Sequence, residues 1–473
     1  MRRTWGIVVT VTVAALMVAA CSSDSDSSDS DSSGSAGSGS GSGGSNDGTS
    51  SAVLEVPSQY PTIQKAVDRA EPGDLVLVSP GTYREAVTVE TPNIVIRGLD
   101  RATTVLDGTF NLDNGVRVVG ADGVAIENMT ARNYTANGFF WTGVKGYRGS
   151  YLSAIRNGNY GIYAFESTNG LLEHSYGAGS PDAGFYIGAC YECDSVIDDV
   201  VSEWNGLGYS GTNSGGDLYI VNSTFRNNRA GVVPNVGTYE PCFPQRETTI
   251  VGNLVYSNNN AGTDAIDAAQ LAFGNGILLV GANDNTVERN QIWDHDITGV
   301  GVVPFPEDDP TPIESKKLLA CEEEPPAAVL DVPADELPAT VIWPATGNRV
   351  VGNEVSDSRL VDLGMNMVGT TPTPDGGNCF SDNVAATESP TDLQQKAPCG
   401  APASGDFAEG AFDVTPLIAR EKPPTVSYKE AALPDPGPQA NMPNAAKAKA
   451  RPQRRAPAFP DVTAIALPAR PTQ

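Results

Sequence analysis

Residues 138–161 read GFFWTGVKGYRGSYLSAIRNGNYG, a stretch that begins and ends on glycine with a spacing of about 23 residues. Nearly the same spacing continues downstream, and the residues between are rich in Val, Ile, Gly and Asn. Such a repeat is typical of a solenoid, in which each coil buries its apolar side only by stacking on its neighbours. The period predicts an all-β fold, a right-handed parallel β-helix. The glycines that mark it are Gly138, Gly161, Gly184, Gly208 and Gly231.

Residues 1–21 have the features of an export signal. Arg2 and Arg3 precede an apolar run that ends at Val18, and two alanines then lead to Cys21. The run is too short to span a membrane as a helix. The cysteine after small residues resembles the lipobox of bacterial lipoproteins, which implies cleavage before Cys21 and lipidation of its thiol. We therefore expect a lipid-anchored protein that faces outward from the cell membrane, with an ordinary secretory signal as the alternative.

Composition divides the rest of the chain into three parts. Residues 22–52 are almost entirely Ser, Gly and Asp, which predicts a disordered tether because nothing there offsets the entropy of ordering the backbone. The β-helix domain is expected over residues 53–400. Residues 401–473 are rich in Pro and Ala and are expected to form a mostly disordered tail. The tail holds a basic cluster, for which contact with anionic wall polymers or lipid headgroups is an open alternative: Lys447, Lys449, Arg451, Arg454 and Arg455.

The charge balance limits the partners. The chain has 57 acidic against 30 basic residues, a formal net charge of −27, and the tether and tail hold few of the acids. A surface this acidic repels nucleic acid, and it repels polyanionic glycans unless bound cations intervene. We expect no nucleic-acid partner, a monomer and no cofactor, with calcium left open.

Six cysteines remain after Cys21, and an exported compartment permits disulfides between them. Six thiols allow 15 pairings, which sequence alone does not resolve. One pair brackets a terminal loop, one pair lies at the bases of two insertions, and one pair is separated by only two residues. A redox or metal-binding CxxC is the alternative for the last pair. The pairs are Cys379 with Cys399, Cys242 with Cys321, and Cys190 with Cys193.

The start of the domain carries a resemblance to a known family. Residues 60–89, YPTIQKAVDRAEPGDLVLVSPGTYREAVTV, resemble the opening of the pectin-lyase-like β-helix superfamily, which implies a short capping helix followed by the first coil. The residues themselves also predict the helix, because Thr62 is a suitable N-cap and an apolar stripe follows it. A helix at this end covers the unpaired edge of the first coil. The stripe consists of Ile63, Ala66, Val67 and Ala70.

Later coils align if three insertions are allowed, at residues 237–245, 262–275 and 304–346. The alignment stacks four asparagines, whose amides are expected to form a ladder along a sharp turn. It also stacks three aromatic residues, interpreted as filling of the interior, with a sugar-binding platform as the alternative. The asparagines are Asn222, Asn253, Asn290 and Asn353, and the aromatic residues are Phe225, Tyr256 and Trp293.

The candidate catalytic residues lie between the insertions, at Asp294, His295 and Asp296. A histidine flanked by carboxylates has the raised basicity that a general base needs. The period places Arg226 under Asp294, where its charge would stabilise a uronate or a developing anion. It also places Asn258 under His295. A solvated turn is the alternative interpretation of the three residues.

The same residues carry two partial resemblances. Trp293-Asp294-His295 resembles the Trp-x-Asp-His segment of pectate lyases with one residue missing, and Asp294-His295-Asp296 resembles the Asp-Pro-His-Asp of alginate epimerases without its proline. These resemblances imply a polysaccharide lyase or an epimerase. The catalytic Gln and Asp-Phe motifs of pectinesterases have no counterpart in the sequence.

Three functions therefore remain open at this point. The first is binding of a carbohydrate or cell-envelope polymer, favoured by the insertions and by aromatic residues on the earlier coils. The second is a lyase or epimerase that uses His295, and the third is a noncatalytic spacer or adhesin. The aromatic residues are Tyr147, Tyr151, Tyr160, Tyr163 and Tyr186, with Glu240 to Phe243 as a further aromatic segment.

Overall fold

The computed structural model describes residues 51–311, 321, 333, 336–366 and 376–471. The signal sequence, Cys21 and nearly all of the tether lie outside these residues. Within them the chain winds as a right-handed parallel β-helix, which confirms the predicted fold. Each full coil contributes one strand to each of three parallel sheets, named sheets A, B and C. Among the described residues no helix is long and apolar enough to cross a membrane.

Sheet A has 12 strands and begins the domain. Its strands alternate inward and outward side chains, and the inward ones are mostly Val, Ile and Leu, which pack well on a pleated surface. In order, the strands are Val53–Val56, Leu75–Val78, Val95–Gly98, Val124–Glu127, Lys145–Ser150, Thr168–Glu173, Ser195–Asp198, Leu218–Val221, Thr248–Val251, Thr286–Glu288, Arg349–Val351 and Cys379–Ser381.

Sheet B follows sheet A in each coil and has 10 short strands. In most of these strands only the middle residue points into the core, so two of every three side chains face outward. In order, the strands are Gly81–Tyr83, Thr104–Asp107, Thr130–Arg132, Ser153–Ile155, Tyr176–Ala178, Val201–Glu203, Thr224–Arg226, Leu254–Tyr256, Gln291–His295 and Glu354–Ser358.

Sheet C completes each coil and has 11 strands. Its inward residues form a column at the predicted period, from Phe139 through Ile162 and Phe185 to Tyr209. In order, the strands are Val87–Val89, Val116–Val119, Phe139–Thr142, Tyr160–Phe165, Ala183–Gly188, Leu207–Thr212, Ala230–Asn235, Ile277–Val280, Thr298–Val303, Val361–Met365 and Glu388–Ser389.

Short elements complete the fold. The helix Ile63–Val67 caps the first coil: Thr62 accepts a hydrogen bond from the Lys65 amide, and the predicted apolar stripe is buried. Within the longest insertion, Phe305–Asp308 and Thr340–Trp343 pair as an antiparallel hairpin. The remaining elements are the helices Ala268–Leu271, Leu393–Lys396 and Val414–Ala419 and the 3₁₀ turn Val462–Ala464.

The glycines that mark the period have a steric cause. A Cβ atom added to Gly138 would lie 2.7 Å from the carbonyl oxygen of Gly161, and one added to Gly161 would lie 2.6 Å from that of Gly184. Gly208 and Gly231 have the same relation, at 2.7 Å. Contacts this short exclude a side chain, so one glycine per coil is needed where consecutive coils approach most closely.

Asparagine ladders line the turn between sheets A and B, but the predicted register is wrong by one residue at its lower end. Asn253 accepts a hydrogen bond from the amide of Ser223, not from that of Asn222. Asn222 instead has a positive φ of 50° and donates to Asp198 on the surface. The ladder itself runs through Asn253, Asn290, Asn353 and Asn383, each amide bonded to the next at 2.9–3.0 Å. The ladder position of the lower coil is occupied by Ser223. Because Asn222 comes directly before it, an alignment on asparagines places this coil one residue out of register.

The three aromatic residues that were predicted to stack do not point in the same direction. Phe225 lies in the interior and pairs with Val255, whereas Tyr256 and Trp293 face outward from sheet B. Their rings stack with centroids 4.2 Å apart and planes 6° from parallel. The prediction of an inward stack is therefore correct for Phe225 alone, because the same one-residue offset reverses the direction of a strand side chain.

Three disulfides join the six cysteines of the domain. The bond between Cys190 and Cys193 is local, and the bond between Cys379 and Cys399 closes a loop at the last coils. Cys242 bonds to Cys321 and so ties the insertion at residues 237–245 to the insertion at residues 304–346. Disulfides persist in oxidising compartments, in agreement with an exported protein.

The structure differs from the expectation of a mostly disordered tail. Residues 414–471 run along the solenoid to its first coils and then return toward its last coils. Arginines of the body donate to tail carbonyl groups along this path: Arg229 to Pro423 at 2.8 Å, Arg156 to Ala431 at 2.9 Å, Arg101 to Ala440 at 3.1 Å, Arg97 to Ala448 at 2.6 Å and Arg289 to Ile465 at 2.7 Å. A Pro-rich segment in an extended conformation has free carbonyl groups, and the arginines satisfy them. Composition predicted disorder because the composition of the tail contains no information about the arginine donors on the body of the domain.

We expect Asn290→Ala to destabilise the domain strongly. Its amide oxygen accepts from Asn253 and its amide nitrogen donates to Ile250 and Asn353, so the change leaves several buried groups without partners. The free energy of unfolding should fall by roughly 1–3 kcal/mol in urea titrations. Asn111→Ala, at an exposed asparagine of a loop, is the matched control. Equal losses in the two variants would contradict the ladder.

Candidate active or binding surface

His295 is not placed as a general base. Its side chain is 1% exposed and occupies the next position of an asparagine ladder between sheets B and C. Asn228 donates to the Ser202 carbonyl and Asn258 to the Phe225 carbonyl. His295 Nε2 follows the same pattern one coil higher and lies 3.3 Å from the Val255 carbonyl. The imidazole therefore takes the structural place of an amide.

The environment of His295 also opposes its protonation. Burial lowers the pKa of His295 to about 4, since a charged imidazolium would be desolvated in the interior. Nδ1 is buried, and among the described residues no group meets the geometry of a hydrogen bond to it. The side chain is thus neutral at neutral pH and is out of reach of a polymer.

The other three predicted catalytic residues lie apart from the imidazole. Asp294 occupies a left-handed turn position, with a φ of 62°, and accepts from Ser257 on the surface. Asp296 pairs with Arg359 at 3.2 Å. Arg226 lies under Trp293 in sheet B, one column from the predicted position, and bonds to Glu203 at 2.6 Å and to the Tyr256 hydroxyl at 2.9 Å. These contacts are those of a polar surface ladder.

A different surface stands out at the outer face of sheet C. The insertions at residues 237–245 and 304–346 follow strands of sheet C, and the insertion at residues 262–275 precedes one. They therefore rise on both sides of this sheet. Apolar residues of the insertion 262–275 cover its later strands, with Ala265, Ala269 and Ala272 packed on them. The outer face is left accessible over the earlier strands.

Aromatic rings cover that accessible part, which we call the tyrosine face: Phe140, Tyr160, Tyr163, Phe165 and Tyr186. Phe140 and Tyr163 stack with centroids 4.6 Å apart, and Tyr163 stacks on Tyr160 at 4.2 Å. Tyr186 meets Tyr163 edge-on, with centroids 4.8 Å apart. Phe140, Tyr163 and Phe165 are partly exposed, whereas Tyr160 and Tyr186 are buried beneath them. The rings form one continuous cluster over three coils, and the exposed rings lie on two of them.

Carboxyl groups border the tyrosine face. Asp182 precedes the strand Ala183–Gly188 and is buried, and Glu240 comes from the insertion 237–245 and accepts a hydrogen bond from the Tyr186 hydroxyl. Burial raises the pKa of Asp182 to about 8 and that of Glu240 to about 8. Nearby Asp267 raises both pKa values further by repulsion. Both groups therefore hold a proton at neutral pH.

The pKa values of the neighbouring titratable groups are also raised. Burial raises the pKa of Glu166 and that of Asp267, and it raises the pKa of the Tyr160, Tyr163 and Tyr186 hydroxyls well above the ordinary value. The tyrosine hydroxyls are hydrogen-bond donors near pH 7, and none of them is a phenolate. Among the described residues no ion pair joins Asp182 or Glu240 to a cation.

A positively charged side chain lies at the end of the tyrosine face nearest the first coil, which we call its open end. Arg117 lies directly beside Phe140 in the outward column, on the preceding coil, and is partly exposed. No group of three or more His, Cys, Asp or Glu side chains able to hold a metal ion occurs in the part of the chain that the structure describes. The surface offers aromatic rings, protonated acids and one arginine.

Sequence reasoning named these tyrosines but did not unite them with the acids. Phe140, Tyr163 and Tyr186 are each separated by one period, so the repeat predicts that they share one column. Glu240 is on an insertion, where the period gives no position. Asp182 carries no local motif, and its raised pKa depends on burial under residues far away in sequence.

No protein-family model and no curated protein sequence matches this chain. Among solved structures, the A-module of mannuronan C-5 epimerase AlgE4 from Azotobacter vinelandii is similar, with 16% identity, a TM-score of 0.43 and coverage of 68% of this chain and 90% of that chain. A PL6 polysaccharide lyase from Pseudopedobacter saltans has 11% identity and a TM-score of 0.43, covering 79% of this chain and 90% of that chain. The periplasmic alginate epimerase AlgG has 12% identity and a TM-score of 0.41, covering 71% of this chain and 83% of that chain. At identities this low, these similarities do not extend a function to this chain.

We expect His295→Asn to preserve the fold, because an asparagine amide continues the ladder on which the imidazole is placed. The substitution should also reduce the loss of folding stability at acidic pH. The pKa of His295 is lowered in the folded state, so wild-type stability falls between about pH 6.5 and pH 4, where only the unfolded chain takes up the proton. Thermal unfolding measured across this range should show a smaller decrease for the variant. Asn111→Ala, at an exposed loop residue that does not titrate, should show the wild-type decrease; an equally reduced decrease there would contradict the assignment.

We expect Asp182→Asn to stabilise the protein at alkaline pH. The folded-state pKa of Asp182 is raised, so its protonated form contributes stability that is full below about pH 4 and is lost as pH rises through 8. The amide keeps the shape of the neutral acid and has no proton to lose. Urea unfolding at pH 5 and pH 9 should show a smaller loss in the variant than in wild type. Asp406→Asn, at an exposed carboxylate, is the control, and an unchanged loss in Asp182→Asn would contradict the buried neutral acid.

Proposed function

We propose that this protein binds a polysaccharide chain along the tyrosine face of sheet C. The observation that carries the proposal is the continuous cluster of five aromatic rings on the earlier strands of sheet C, three of them partly exposed, bordered by acids whose pKa values are raised. Sugar rings have apolar faces that pack on aromatic side chains, and hydroxyl groups that need hydrogen-bond partners at the edge. The tyrosine face supplies both along the direction in which coils repeat.

The accessible rings support an extended ligand more than a compact one. Phe140 and Tyr163 lie in one outward column, and Phe165 flanks them in the next. Their exposed parts follow the axis of the solenoid over consecutive coils. A polymer laid along this axis contacts Phe140, Tyr163 and Phe165 together, whereas a single sugar contacts one or two of them.

The local charge differs from the charge of the whole chain. The formal net charge of −27 opposes a polyanionic ligand, but Asp182 and Glu240 are neutral at pH 7 because burial raises their pKa values. Asp182 is buried, so the group that can share its proton with a sugar hydroxyl or a uronate oxygen is the partly buried Glu240. Arg117, at the open end, provides a cation for a carboxylate of the chain. Neutral and uronate-bearing polysaccharides are thus both compatible with this face.

Binding is better supported than proton abstraction. A lyase or an epimerase removes a proton from the sugar and needs a base near neutral pH. His295 and Asp182 are buried, so neither faces a polymer laid on the exposed rings. A catalytic role is the second candidate, and the observation in its favour is the clustering of strongly shifted carboxyl groups, which is frequent at catalytic sites. New unsaturated ends on a bound polysaccharide would establish that second function.

The location remains part of the proposal. The disulfides agree with an extracytoplasmic compartment. The lipid anchor at Cys21 lies outside the described residues and stays a prediction from the sequence. An anchored domain with a polymer-binding face fits a role at the cell envelope.

We expect Tyr163→Ala to weaken polysaccharide binding at least about tenfold, because Tyr163 contacts the other four rings of the face and is partly exposed. Affinity electrophoresis of the full chain in gels containing neutral or uronate polysaccharides measures the effect. Trp293→Ala, which removes an outward aromatic ring from sheet B, is the matched control and should leave binding unchanged. Loss of binding in the control alone would place the ligand on sheet B and overturn the proposal.

A further inference from the structure

A basic patch forms where the tail meets the first coils of sheet A. Arg97 is fully buried and bonds to Glu127 at 2.5 Å. The same guanidinium donates to the carbonyl groups of Ala448 at 2.6 Å and Lys449 at 3.1 Å. This contact fixes the tail on the body at the start of its basic cluster.

Two further contacts continue the attachment. Ala450 packs on an apolar cluster at the outer face of sheet A, formed by Leu75, Val95 and Ala125. The Gln453 amide donates to the Gly123 carbonyl at 2.9 Å. The tail therefore lies flat on sheet A between residues 448 and 454.

The attachment leaves the basic side chains outward. Six exposed cations gather here, and within the described part of the chain no ion pair joins them to a carboxylate: Lys145, Lys447, Lys449, Arg451, Arg454 and Arg455. Arg454 donates to Asn93 at 3.1 Å, and these two residues line a surface depression with Asp122 and Lys145. Carboxylates near the patch include Asp122, Asp194, its neighbour Asp217 and Glu127, and Glu127 is occupied by Arg97 and Arg148. Cations outnumber carboxylates in this patch, the reverse of the chain as a whole.

We propose that this basic patch binds the anionic headgroups of a lipid surface. Clustered lysines and arginines on a rigid surface are attracted to anionic lipids, and the attraction is screened by salt. The arrangement of the domain favours a membrane over a soluble polymer. The patch lies on the third to fifth strands of sheet A, close to Val53, where the first strand begins.

The tether that composition predicts for residues 22–52 precedes this same end of the domain in the sequence. A flexible chain of the length of residues 22–52 has an end-to-end distance of roughly 30 Å. Each coil adds roughly 4.8 Å along the solenoid, so the patch lies within that reach. Lipid chains and a basic patch together hold a protein on a membrane more firmly than one signal alone. The tyrosine face is on another sheet and stays free for a polymer.

The test uses the chain from residue 21 onward with Cys21→Ser, so that no lipid is attached and the described residues are intact. Vesicles of phosphatidylcholine, alone or mixed with phosphatidylglycerol, are sedimented with the protein at low and high salt. We expect co-sedimentation with the mixed vesicles at low salt and release at high salt. Equal binding to phosphatidylcholine alone, or preference for soluble polygalacturonate over the mixed vesicles, would overturn the proposal.

Two variants and a control identify the surface. Joint replacement of Lys447, Lys449, Arg454 and Arg455 by Glu should weaken vesicle binding at least about tenfold. Lys145→Glu changes the body and leaves the tail intact, and it should weaken binding in the same direction. The control replaces four exposed cations elsewhere by Glu, namely Lys65, Arg69, Arg84 and Arg349. An equal loss in the control would assign the binding to net charge and would contradict the patch.

Discussion

Coil-on-coil registration is the constraint on which the rest of this structure depends. Each strand bonds to the equivalent strand one coil away, so the backbone must return to nearly the same position once in every period of the sequence. At Gly138 and Gly161 the next carbonyl oxygen lies 2.7 Å and 2.6 Å from where a Cβ atom would be. The asparagine ladders satisfy the turns under the same constraint. Extra residues are tolerated only where the chain leaves a sheet at a corner.

This constraint also explains how the candidate site arises. Insertions leave the solenoid at the two corners of sheet C, and they cover its later strands while exposing its earlier ones. Aromatic side chains on consecutive coils then form one surface because their columns repeat at the coil period. Asp182 and Glu240 are enclosed by the same insertions, and their desolvation keeps them protonated. The insertions at the corners of sheet C therefore determine both which aromatic rings are accessible and why the two acids are desolvated.

The sequence predicts the regular part of this molecule well, since period, capping helix and insertions are local or repeating features. It fails where one residue of register matters. Ser223, not Asn222, is in the ladder column, and that offset turned Tyr256 from inward to outward and moved Arg226 under Trp293. His295 resembled a catalytic residue because its neighbours in sequence are acidic, whereas its neighbours in space are a ladder of amides. The tail was missed because its partners are arginines on distant parts of the chain.

The most direct test of the account is a crystal structure of the domain with a bound oligosaccharide of the polymer that it retains in gels. The account predicts sugar rings stacked on Phe140 and Tyr163, with oxygens within hydrogen-bond distance of Glu240 or Arg117. Density for the sugar beside Tyr256 and Trp293 on sheet B, with sheet C empty, would contradict it.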